Sequence, residues 1–163
     1  MMKTDGKKGP ESERGALEPS REALEPSVLQ LREIIDEAGD GFYEADNYGN
    51  FTDFNNSFCN VLGYPREVIQ GRNFVRFMDE RPARKLYEAF NRVWVSHQGF
   101  SNLIWEIKDR EGNTRIVELS AYLIKNHEGK KMGFRGIARD VTQKFKTMTA
   151  LMESERRYER EFR

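Results

Sequence analysis

Residues 100–142 read FSNLIWEIKDREGNTRIVELSAYLIKNHEGKKMGFRGIARDVT, and this stretch sets the architecture of the domain. It contains three strand-like runs, at 100–108, 114–125 and 131–142. Two short turns at 109–113 and 126–130 separate the runs, and each turn contains a glycine. Three successive strands joined by tight turns predict an antiparallel meander.

Both faces of these predicted strands carry apolar side chains. In the last strand Phe134, Gly136 and Ala138 lie on one face, while Ile137 and Val141 lie on the other. The middle strand alternates in the same way, with Val117, Leu119, Ala121 and Leu123 set against Ile116, Tyr122 and Ile124. One face therefore forms a core with helices, and the second face needs a cover. The opening helix, a partner chain, or both can supply it.

The sequence before the meander predicts a hairpin followed by several helices. The hairpin turn is DNYGN at 46–50, whose asparagines and glycine supply the positive φ angles of a tight turn. Either Asn55 or Asn56 caps the first core helix, which Gly63 ends. The predicted elements before the meander are an amphipathic helix from 28 to 38, strands at 41–45 and 51–54, helices ending at 62 and 69, a turn at 71–77 and a longer helix at 79–95.

Composition excludes several classes of function. Lys and Arg number 27, as do Asp and Glu, so the net charge is zero and no field attracts nucleic acid. Cys59 is the only cysteine, which predicts a reducing, cytoplasmic setting and no disulfide. No apolar run approaches the roughly 20 residues of a membrane span, so we expect no membrane contact by this segment. No hydrolase, phosphate-binding or zinc-protease motif is present, so we predict a protein that is not an enzyme by itself and has no catalytic residues.

The composition also divides the chain into four zones. Residues 1–27 are polar and almost without aliphatic side chains, which predicts a disordered tail. Residues 28–39 form an N-terminal flanking helix, 40–142 a globular domain, and 143–163 a charged C-terminal helix. That last helix carries apolar residues mostly at intervals of three and four, a short imperfect coiled-coil seam that includes Phe145, Met148 and Met152.

The order of the elements and their turns resembles the PAS family over about residues 31–142. The resemblance rests on DGF at 40–42, FNNSF at 54–58, LGY at 62–64, GRNF at 71–74, KDREG at 108–112 and DVT at 140–142. It implies an α+β fold in which a five-stranded antiparallel sheet carries helices on one face, flanked by N-terminal and C-terminal helices. It also implies a sensor that passes the state of a ligand or partner through its C-terminal helix to an output module such as a histidine kinase.

The resemblance places an internal cavity between the sheet and the helices. The candidate pocket residues are Tyr43, Phe54, Phe58, Leu62, Asn73, Phe74, Phe77, Phe90, Trp94, Trp105, Leu119, Ser120 and Phe134. The aromatic side chains among them either line a site for a small, flat, largely apolar ligand or fill the core completely. We favour a mostly packed core. A ligand-free dimerisation spacer is the alternative function.

Dimerisation and signal relay are the other expectations. PAS domains often form homodimers through the opening helix and the outer sheet face, which makes Leu31, Ile34, Ile35, Ile137 and Val141 the interface candidates. Asp140 and Thr142 are the candidates for signal relay. Their simpler structural interpretation is that Thr142 caps the exit helix and Asp140 pairs with a nearby base such as Arg139 or Arg135.

The sequence does not identify a cofactor. In the flavin-binding branch of the family the reactive cysteine ends a GRNC turn, and here Phe74 occupies that position, so flavin adduct chemistry is not supported. Haem is a further alternative with His97 as its only candidate ligand, but His97 falls near the end of the long helix, and no second ligand stands at metal spacing. We therefore expect no metal site, and we expect Cys59 to serve packing.

Overall fold

The computed structural model describes the backbone of residues 21–162 and the side chains of residues 27–162. The described elements are helix α1 (Arg21–Glu37), strands β1 (Gly41–Asp46) and β2 (Phe51–Phe54), helices α2 (Asn56–Leu62) and α3 (Arg66–Ile69), a 3₁₀ turn (Phe74–Phe77), helix α4 (Glu80–Ser96), strands β3 (Phe100–Lys108), β4 (Thr114–Lys125) and β5 (Lys131–Asp140), and helix α5 (Thr142–Glu161). The predicted meander is confirmed, and its last strand ends two residues earlier than predicted.

The five strands form one antiparallel sheet in the order β2-β1-β5-β4-β3. The last strand lies at the centre, because it pairs with β1 from Gly41↔Ala138 to Asp46↔Gly133 on one side and with β4 on the other. The hairpin and the meander are thereby joined into a single surface. The predicted α+β class with a five-stranded sheet is confirmed.

The inner face of the sheet holds the core. Val117 and Ala121 of β4 and Phe134 and Ala138 of β5 are all buried, in agreement with the predicted alternation. Val117 and Ala138 pack in one cluster with side chains from the helices, among them Phe58, Ile69, Phe77 and Leu86. The Phe134 ring packs on Phe90 of α4. Burying apolar surface on this scale is the main stabilisation of so small a domain.

Asn55, rather than Asn56, is the residue that begins α2. Its side-chain oxygen accepts hydrogen bonds from the Phe58 N–H at 2.9 Å and the Phe42 N–H at 3.0 Å, while its amide donates to the Asp40 carbonyl at 3.0 Å. One side chain therefore fastens the start of β1 to the start of α2. Gly63 ends the helix in the left-handed conformation, with φ at 77°.

Part of the outer face is covered by α1. Arg32 forms an ion pair with Asp53 at 2.9 Å and lies 4.9 Å from the centre of the Phe42 ring. Near the end of α1, Asp36 accepts a hydrogen bond from the Ser57 N–H at 2.8 Å, which joins α1 to α2. The helix begins at Arg21, inside the segment predicted to be a disordered tail, and residues 1–20 lie outside the described residues.

The rest of the outer face, and both flanking helices, expose apolar side chains. Ile104 of β3 and Tyr122 of β4 are exposed on the outer face, and Met132 is exposed at the irregular start of β5. Leu31 and Ile34 of α1 are 60% and 61% exposed. No residue of α5 is buried; Phe145 is half-buried, and Met148, Leu151 and Met152 are exposed along the helix.

The two edges of the sheet differ from ordinary free strands. On β2, the N–H and carbonyl of Phe51 bond to the Arg72 carbonyl and the Gly71 N–H, each at 2.9 Å. On β3, the ladder is irregular between Phe100 and Leu103, where Asn102 has a positive φ of 59°. One edge is thus occupied by the chain itself, and the other is bent by a bulge.

We predict that Asn55→Ala lowers the free energy of unfolding by about 2 kcal/mol, because it removes a helix cap and leaves the Phe42 N–H without its partner. Urea unfolding measures the change. The matched control is Asn56→Ala, since the exposed Asn56 side chain bonds only to Arg66, and we expect a loss of at most about 0.5 kcal/mol there. Equal losses in the two variants would contradict the assigned cap.

Candidate functional site

The space between sheet and helices is small. An internal cavity of about 40 Å³ lies on the inner face of the sheet, enough for roughly one or two water molecules and, unless its walls move, too small for an organic ligand. Its walls are almost entirely apolar. The lining residues are Tyr43, Ala45, Gly49, Phe51, Phe58, Leu62, Phe74, Phe77, Met78, Leu86, Phe90, Ile107, Val117, Leu119, Phe134 and Ala138. The core is therefore mostly packed, as favoured above.

A second, larger space opens next to that cavity, and we call it the mouth cleft. Its volume is about 180 Å³, and it lies between the β1–β2 turn, the start of the 3₁₀ turn, α4 and β5. The lining residues are Asn47, Tyr48, Gly49, Phe74, Tyr87, Phe90, Asn91, Trp94 and Phe134. Since Gly49, Phe74, Phe90 and Phe134 line both spaces, they form the wall between them.

Contacts between aromatic rings build this wall. The Phe90 ring lies 5.7 Å from the Phe74 ring and 4.9 Å from the Phe134 ring, measured between centroids. Gly49 has a φ of 88°, and a Cβ there would lie 2.5 Å from the Phe74 ring. Glycine is therefore required at position 49 by both the turn and the close approach of the ring.

Nine of the thirteen candidate pocket residues line one space or the other. They are Tyr43, Phe58, Leu62, Phe74, Phe77, Phe90, Trp94, Leu119 and Phe134. The structure places Phe54, Asn73, Trp105 and Ser120 outside both linings. Phe54 instead packs under the Arg66 guanidinium, 4.6 Å from the ring centre, and the Trp105 Nε1 is buried without a hydrogen-bond partner within the described residues.

Asn73 supports the mouth cleft from behind. Its amide donates to the Tyr48 carbonyl at 2.8 Å and to the Asn50 side-chain oxygen at 3.0 Å. Its own oxygen accepts the Val75 N–H at 3.2 Å at the start of the 3₁₀ turn. Asn73 therefore holds the hairpin turn against the segment that carries Phe74.

Tyr43 joins the cavity to the middle of the sheet. Its hydroxyl donates to the Ser120 carbonyl at 2.7 Å, and the Ser120 hydroxyl accepts the Ile137 N–H at 2.9 Å. Side-chain groups thus replace regular ladder bonds between β4 and β5. Gly136 is needed alongside, because a Cβ there would lie 1.9 Å from the Ser120 carbonyl oxygen. Burial raises the pKa of Tyr43 far above its usual range, so this phenol stays protonated and keeps donating.

The exit from the sheet into α5 is a second cluster of polar contacts. The Thr142 hydroxyl accepts the Ile116 N–H at 2.9 Å and donates to Asp140 at 2.6 Å. Asp140 also accepts the Thr142 N–H at 2.9 Å, and its other oxygen lies 4.0 Å from the Arg115 guanidinium. These contacts tie the start of α5 to strand β4.

Arg115 extends this cluster to the helices. Its guanidinium donates to the Asn60 carbonyl at 2.6 Å, at the end of α2, and pairs with Asp109 at 3.0 Å. Burial would raise the pKa of Asp109, but hydrogen bonds from the Asn113 N–H and from Arg115 outweigh it, and the pKa is lowered. Arg115 therefore links α2, the β3–β4 turn and the exit to α5.

The sequence over these elements matches a known family of domains. A family model described as PAS domain matches residues 39–143, which is more than half of the chain. The chain belongs to the PAS family. PAS domains are generally sensory modules without catalytic activity. No curated protein matches the chain in sequence.

Solved structures with the same fold include PAS domains of signalling proteins. The PAS domain of a protein from Colwellia psychrerythraea is 18% identical with a TM-score of 0.63, covering 71% of this chain and 98% of that chain. A sensory box histidine kinase/response regulator from Burkholderia thailandensis is 14% identical with a TM-score of 0.63, covering 80% and 98%. A domain of a sensory box sensor histidine kinase/response regulator from Geobacter sulfurreducens is 25% identical with a TM-score of 0.57, covering 72% and 96%.

Two details predicted for the exit of this PAS domain are wrong. Thr142 does not cap α5, because Val141 holds the cap position and the Asp140 carboxylate receives the first free N–H. Asp140 does not pair with Arg139 or Arg135, because residues an odd number of positions apart in a strand lie on opposite faces. Arg139 instead forms a two-pronged pair with Asp40 at 3.0 and 3.1 Å, and Arg135 faces Glu44 at 3.5 Å.

The residues weighed for cofactor chemistry lie away from both spaces. His97 ends α4 in a left-handed conformation and lines neither the cavity nor the mouth cleft, and the Lys125 ammonium lowers its pKa. Burial raises the pKa of the Cys59 thiol, which makes it a weaker nucleophile at neutral pH. Among the side chains of residues 27–162, no three of His, Cys, Asp or Glu group as metal ligands would. Within the same range, no helix has the length and hydrophobicity of a membrane span.

Sequence reasoning missed five residues of the mouth cleft and one of the exit cluster. Asn47, Tyr48, Gly49, Tyr87 and Asn91 line the mouth cleft, and Arg115 joins α2 to the exit. Tyr87, Asn91 and Trp94 follow one another at intervals of four and three on α4, and that spacing was the available signal. Arg115 gave no local signal, because its partner Asn60 is 55 positions away.

We predict that Tyr43→Phe lowers the free energy of unfolding by about 1–3 kcal/mol, because the part-buried Ser120 carbonyl loses its donor. Urea unfolding measures the loss. Tyr87→Phe is the control, since Tyr87 is 60% exposed, and we expect a change within about 0.5 kcal/mol. A neutral effect of Tyr43→Phe would contradict the role of this hydroxyl in the sheet.

The dependence of stability on pH gives a second measurement on the same variant. Because the pKa of Tyr43 is raised in the folded state from its usual value of 10.0, only the unfolded state loses this proton just above pH 10. Tyr43 therefore leaves stability unchanged below that pH and lowers it by about 1.4 kcal/mol per pH unit above it. Tyr43→Phe should lack this part of the alkaline slope, and identical slopes would refute the assignment.

Proposed function

We propose that this chain is the sensor module of a larger cytoplasmic signalling protein, and that it relays the state of its ligand site through α5 to an output module. A histidine kinase is the output we favour, because two of the similar solved structures are described as parts of histidine kinase/response regulator proteins. The observation that carries the proposal is the direct junction between the central strand β5 and α5, held by Asp140, Thr142 and Arg115.

The relay follows from the partners of Arg115. Helix α2 contributes Phe58 and Leu62 to the cavity wall, and the carbonyl of Asn60 in the same helix accepts a hydrogen bond from Arg115. A shift of α2 would therefore pull on the guanidinium that stands 4.0 Å from Asp140. Any ligand that binds one arrangement of α2 better than another shifts the population of exit geometries by its difference in affinity.

The second path runs through the sheet. Tyr43 lines the cavity, and its hydroxyl bonds to Ser120, whose own hydroxyl holds the Ile137 N–H. A change at Tyr43 therefore reaches Ile137, a proposed dimer contact on the outer face. Ser120, placed among the pocket candidates, belongs to this relay instead.

Dimerisation would bring two copies of α5 together, so that a change in their geometry can act as a signal. The exposed side chains of Leu31 and Ile34 and the half-buried ones of Ile35, Ile137 and Val141 lie on α1, the outer sheet face and the exit to α5. A second copy would cover these surfaces and bring two α5 helices together along the seam of Phe145, Met148 and Met152. Glu155 lies on the same seam and limits its stability, as expected of a helix that must change its geometry.

A structural dimerisation spacer is the second candidate function, and the small volume of the cavity, about 40 Å³, favours it. Native mass spectrometry and an absorption spectrum of the purified chain separate the two. A colourless protein without bound mass, and without thermal shift across a metabolite panel, would favour the spacer. Visible absorption would point to a bound cofactor such as haem or flavin.

We predict that Thr142→Val and Asp140→Asn each change output at least severalfold while the chain stays folded. Both variants remove contacts between the start of α5 and strand β4, so the exit geometry loses its link to the sheet. The measurement is the rate of autophosphorylation of the chain joined through α5 to a histidine kinase catalytic core. Thr147→Val is the matched control, since the exposed Thr147 bonds only to Gln143 at 3.5 Å. Unchanged rates in both test variants would reject this relay.

We predict that the pair Leu31→Asp and Ile34→Asp weakens self-association at least tenfold, because two charges enter an apolar interface. Light scattering and sedimentation measure the dimer. Substitution is preferable to deleting residues 1–38, because deletion also removes Asp36, which bonds to Ser57 in the core. Gln30→Asp, on the polar side of the same helix, is the control. An unchanged dimer in the double variant would show that α1 is not the interface.

A further inference from the structure

We propose that the mouth cleft binds a neutral, flat heteroaromatic molecule of one or two rings that carries an amide-like edge, in the manner of a nucleobase. The inference rests on the proposed sensor function and specifies the ligand class and the place where it binds. The place differs from the pocket that the sequence predicted, because the ligand lies outside the ring wall rather than inside the core.

The volume of the cleft sets the size of the ligand. At about 180 Å³ the cleft is smaller than the roughly 300–1,000 Å³ of pockets for drug-sized molecules. The cavity behind the wall adds only about 40 Å³. A single or double ring therefore fits, and a larger cofactor requires the wall of Phe74, Phe90 and Phe134 to move.

The residues that line the cleft favour a ligand that is flat and uncharged. Six of the nine lining residues are aromatic, and none of the nine is charged. Aromatic rings attract flat molecules by stacking and by edge contacts. A carboxylate or phosphate entering this lining would lose water without gaining a charged partner, which is costly. Lys131 is not among the lining residues, since its ammonium lies 5.1 Å from the centre of the Trp94 ring and donates to the Trp94 carbonyl.

The side-chain amides of Asn47 and Asn91 determine which hydrogen-bonding groups the edge of the ligand carries. Asn47 and Asn91 each offer one acceptor and two donors, and within the described residues neither side chain has a hydrogen-bond partner. An asparagine amide matches the paired donor and acceptor of a nucleobase edge, as it does with adenine in nucleic-acid recognition. Asn47 and Asn91 stand on different elements, the hairpin turn and α4, so a bound ring would bridge them.

The turn that carries Asn47 is already ordered. The Asp46 carboxylate accepts the Tyr48 N–H and the Asn50 N–H, each at 2.9 Å, and the Asn50 side-chain amide at 3.1 Å. Asn73 holds the other side of the turn. Because the backbone is fixed before binding, the ligand does not have to order it, and more of the interaction free energy appears as affinity. The exposed rings of Tyr48 and Tyr87 stand at the rim, 72% and 60% exposed, where a ligand would cover them.

The experiment is a titration of the ¹⁵N-labelled chain with adenine, uracil and orotate, followed by NMR. The side-chain amide signals of Asn47 and Asn91 and the indole N–H signal of Trp94 report directly on the cleft. We expect saturable shifts of these signals with adenine or uracil. Orotate is the uracil ring with a carboxylate, and we expect it to bind at least about tenfold more weakly than uracil because the charge finds no partner.

Two variants test whether the base binds in the mouth cleft. Asn91→Phe fills the cleft and removes one amide, so we expect the dissociation constant of the bound base to rise at least about tenfold. Arg92→Phe is the matched control, because it adds the same ring at the next exposed position of α4, outside the lining, and should leave affinity within twofold. Thermal unfolding checks that both variants fold.

Three outcomes would overturn the inference: absence of saturable binding by both neutral bases, equal or tighter binding of orotate, or binding that Asn91→Phe leaves intact. In the last case, shifts centred on core residues such as Phe58 and Leu62 would assign the ligand to the internal cavity instead. The relay variants of the proposed function are measured separately from base binding. If the relay variants leave output unchanged while the bases still bind, the relay is rejected and the binding site at the mouth cleft stands. If the bases do not bind while the relay variants change output, the binding site is rejected and the relay stands.

Discussion

The pairing of β1 with β5 is the constraint on which the rest of this structure depends. It joins residues about ninety positions apart, from Gly41↔Ala138 to Asp46↔Gly133, and so closes the whole domain around one sheet. Closing so long a loop has an entropic cost, which is recovered only when helices and sheet pack together. Because β5 is both the central strand and the last one, the chain must leave the sheet from its middle. The departing helix α5 therefore starts beside β4, where Thr142 and Ile116 meet.

This arrangement places a dense core next to a site that is open to solvent. The aromatic side chains that stabilise the domain fill nearly all the space between sheet and helices, and three of them also form the inner wall of the mouth cleft. The same rings thus contribute to stability and to a binding surface. A ligand at the cleft would contact Phe90 and Phe134 without entering the core, so binding need not cost the domain its packing.

The fold could be predicted from the sequence because short-range residue patterns indicate its strands and turns. The meander followed from two-residue alternation and from glycine-containing turns, and its strands β3 and β4 have the predicted bounds. The site was harder, because its residues come together only through tertiary contacts. Asn47 on a hairpin turn and Asn91 on a helix share no sequence pattern, and Arg115 reaches α2 through the Asn60 carbonyl, 55 positions away. Aromatic residues such as Phe54 and Trp105 look alike in sequence whether they line a space or fill one.

The treatment of the two sheet edges has a consequence for how copies of this domain can meet. An unprotected edge strand is a template on which another chain can add a strand, and this is a common route to aggregation. Here the main-chain groups of Phe51 on β2 are already bonded to Gly71 and Arg72, and Arg66 donates to the Phe54 carbonyl. On β3 the left-handed Asn102 breaks the regular spacing that an added strand would need. Strand addition is thereby disfavoured at both ends of the sheet, so that crowding many copies together need not lead to open-ended polymerisation.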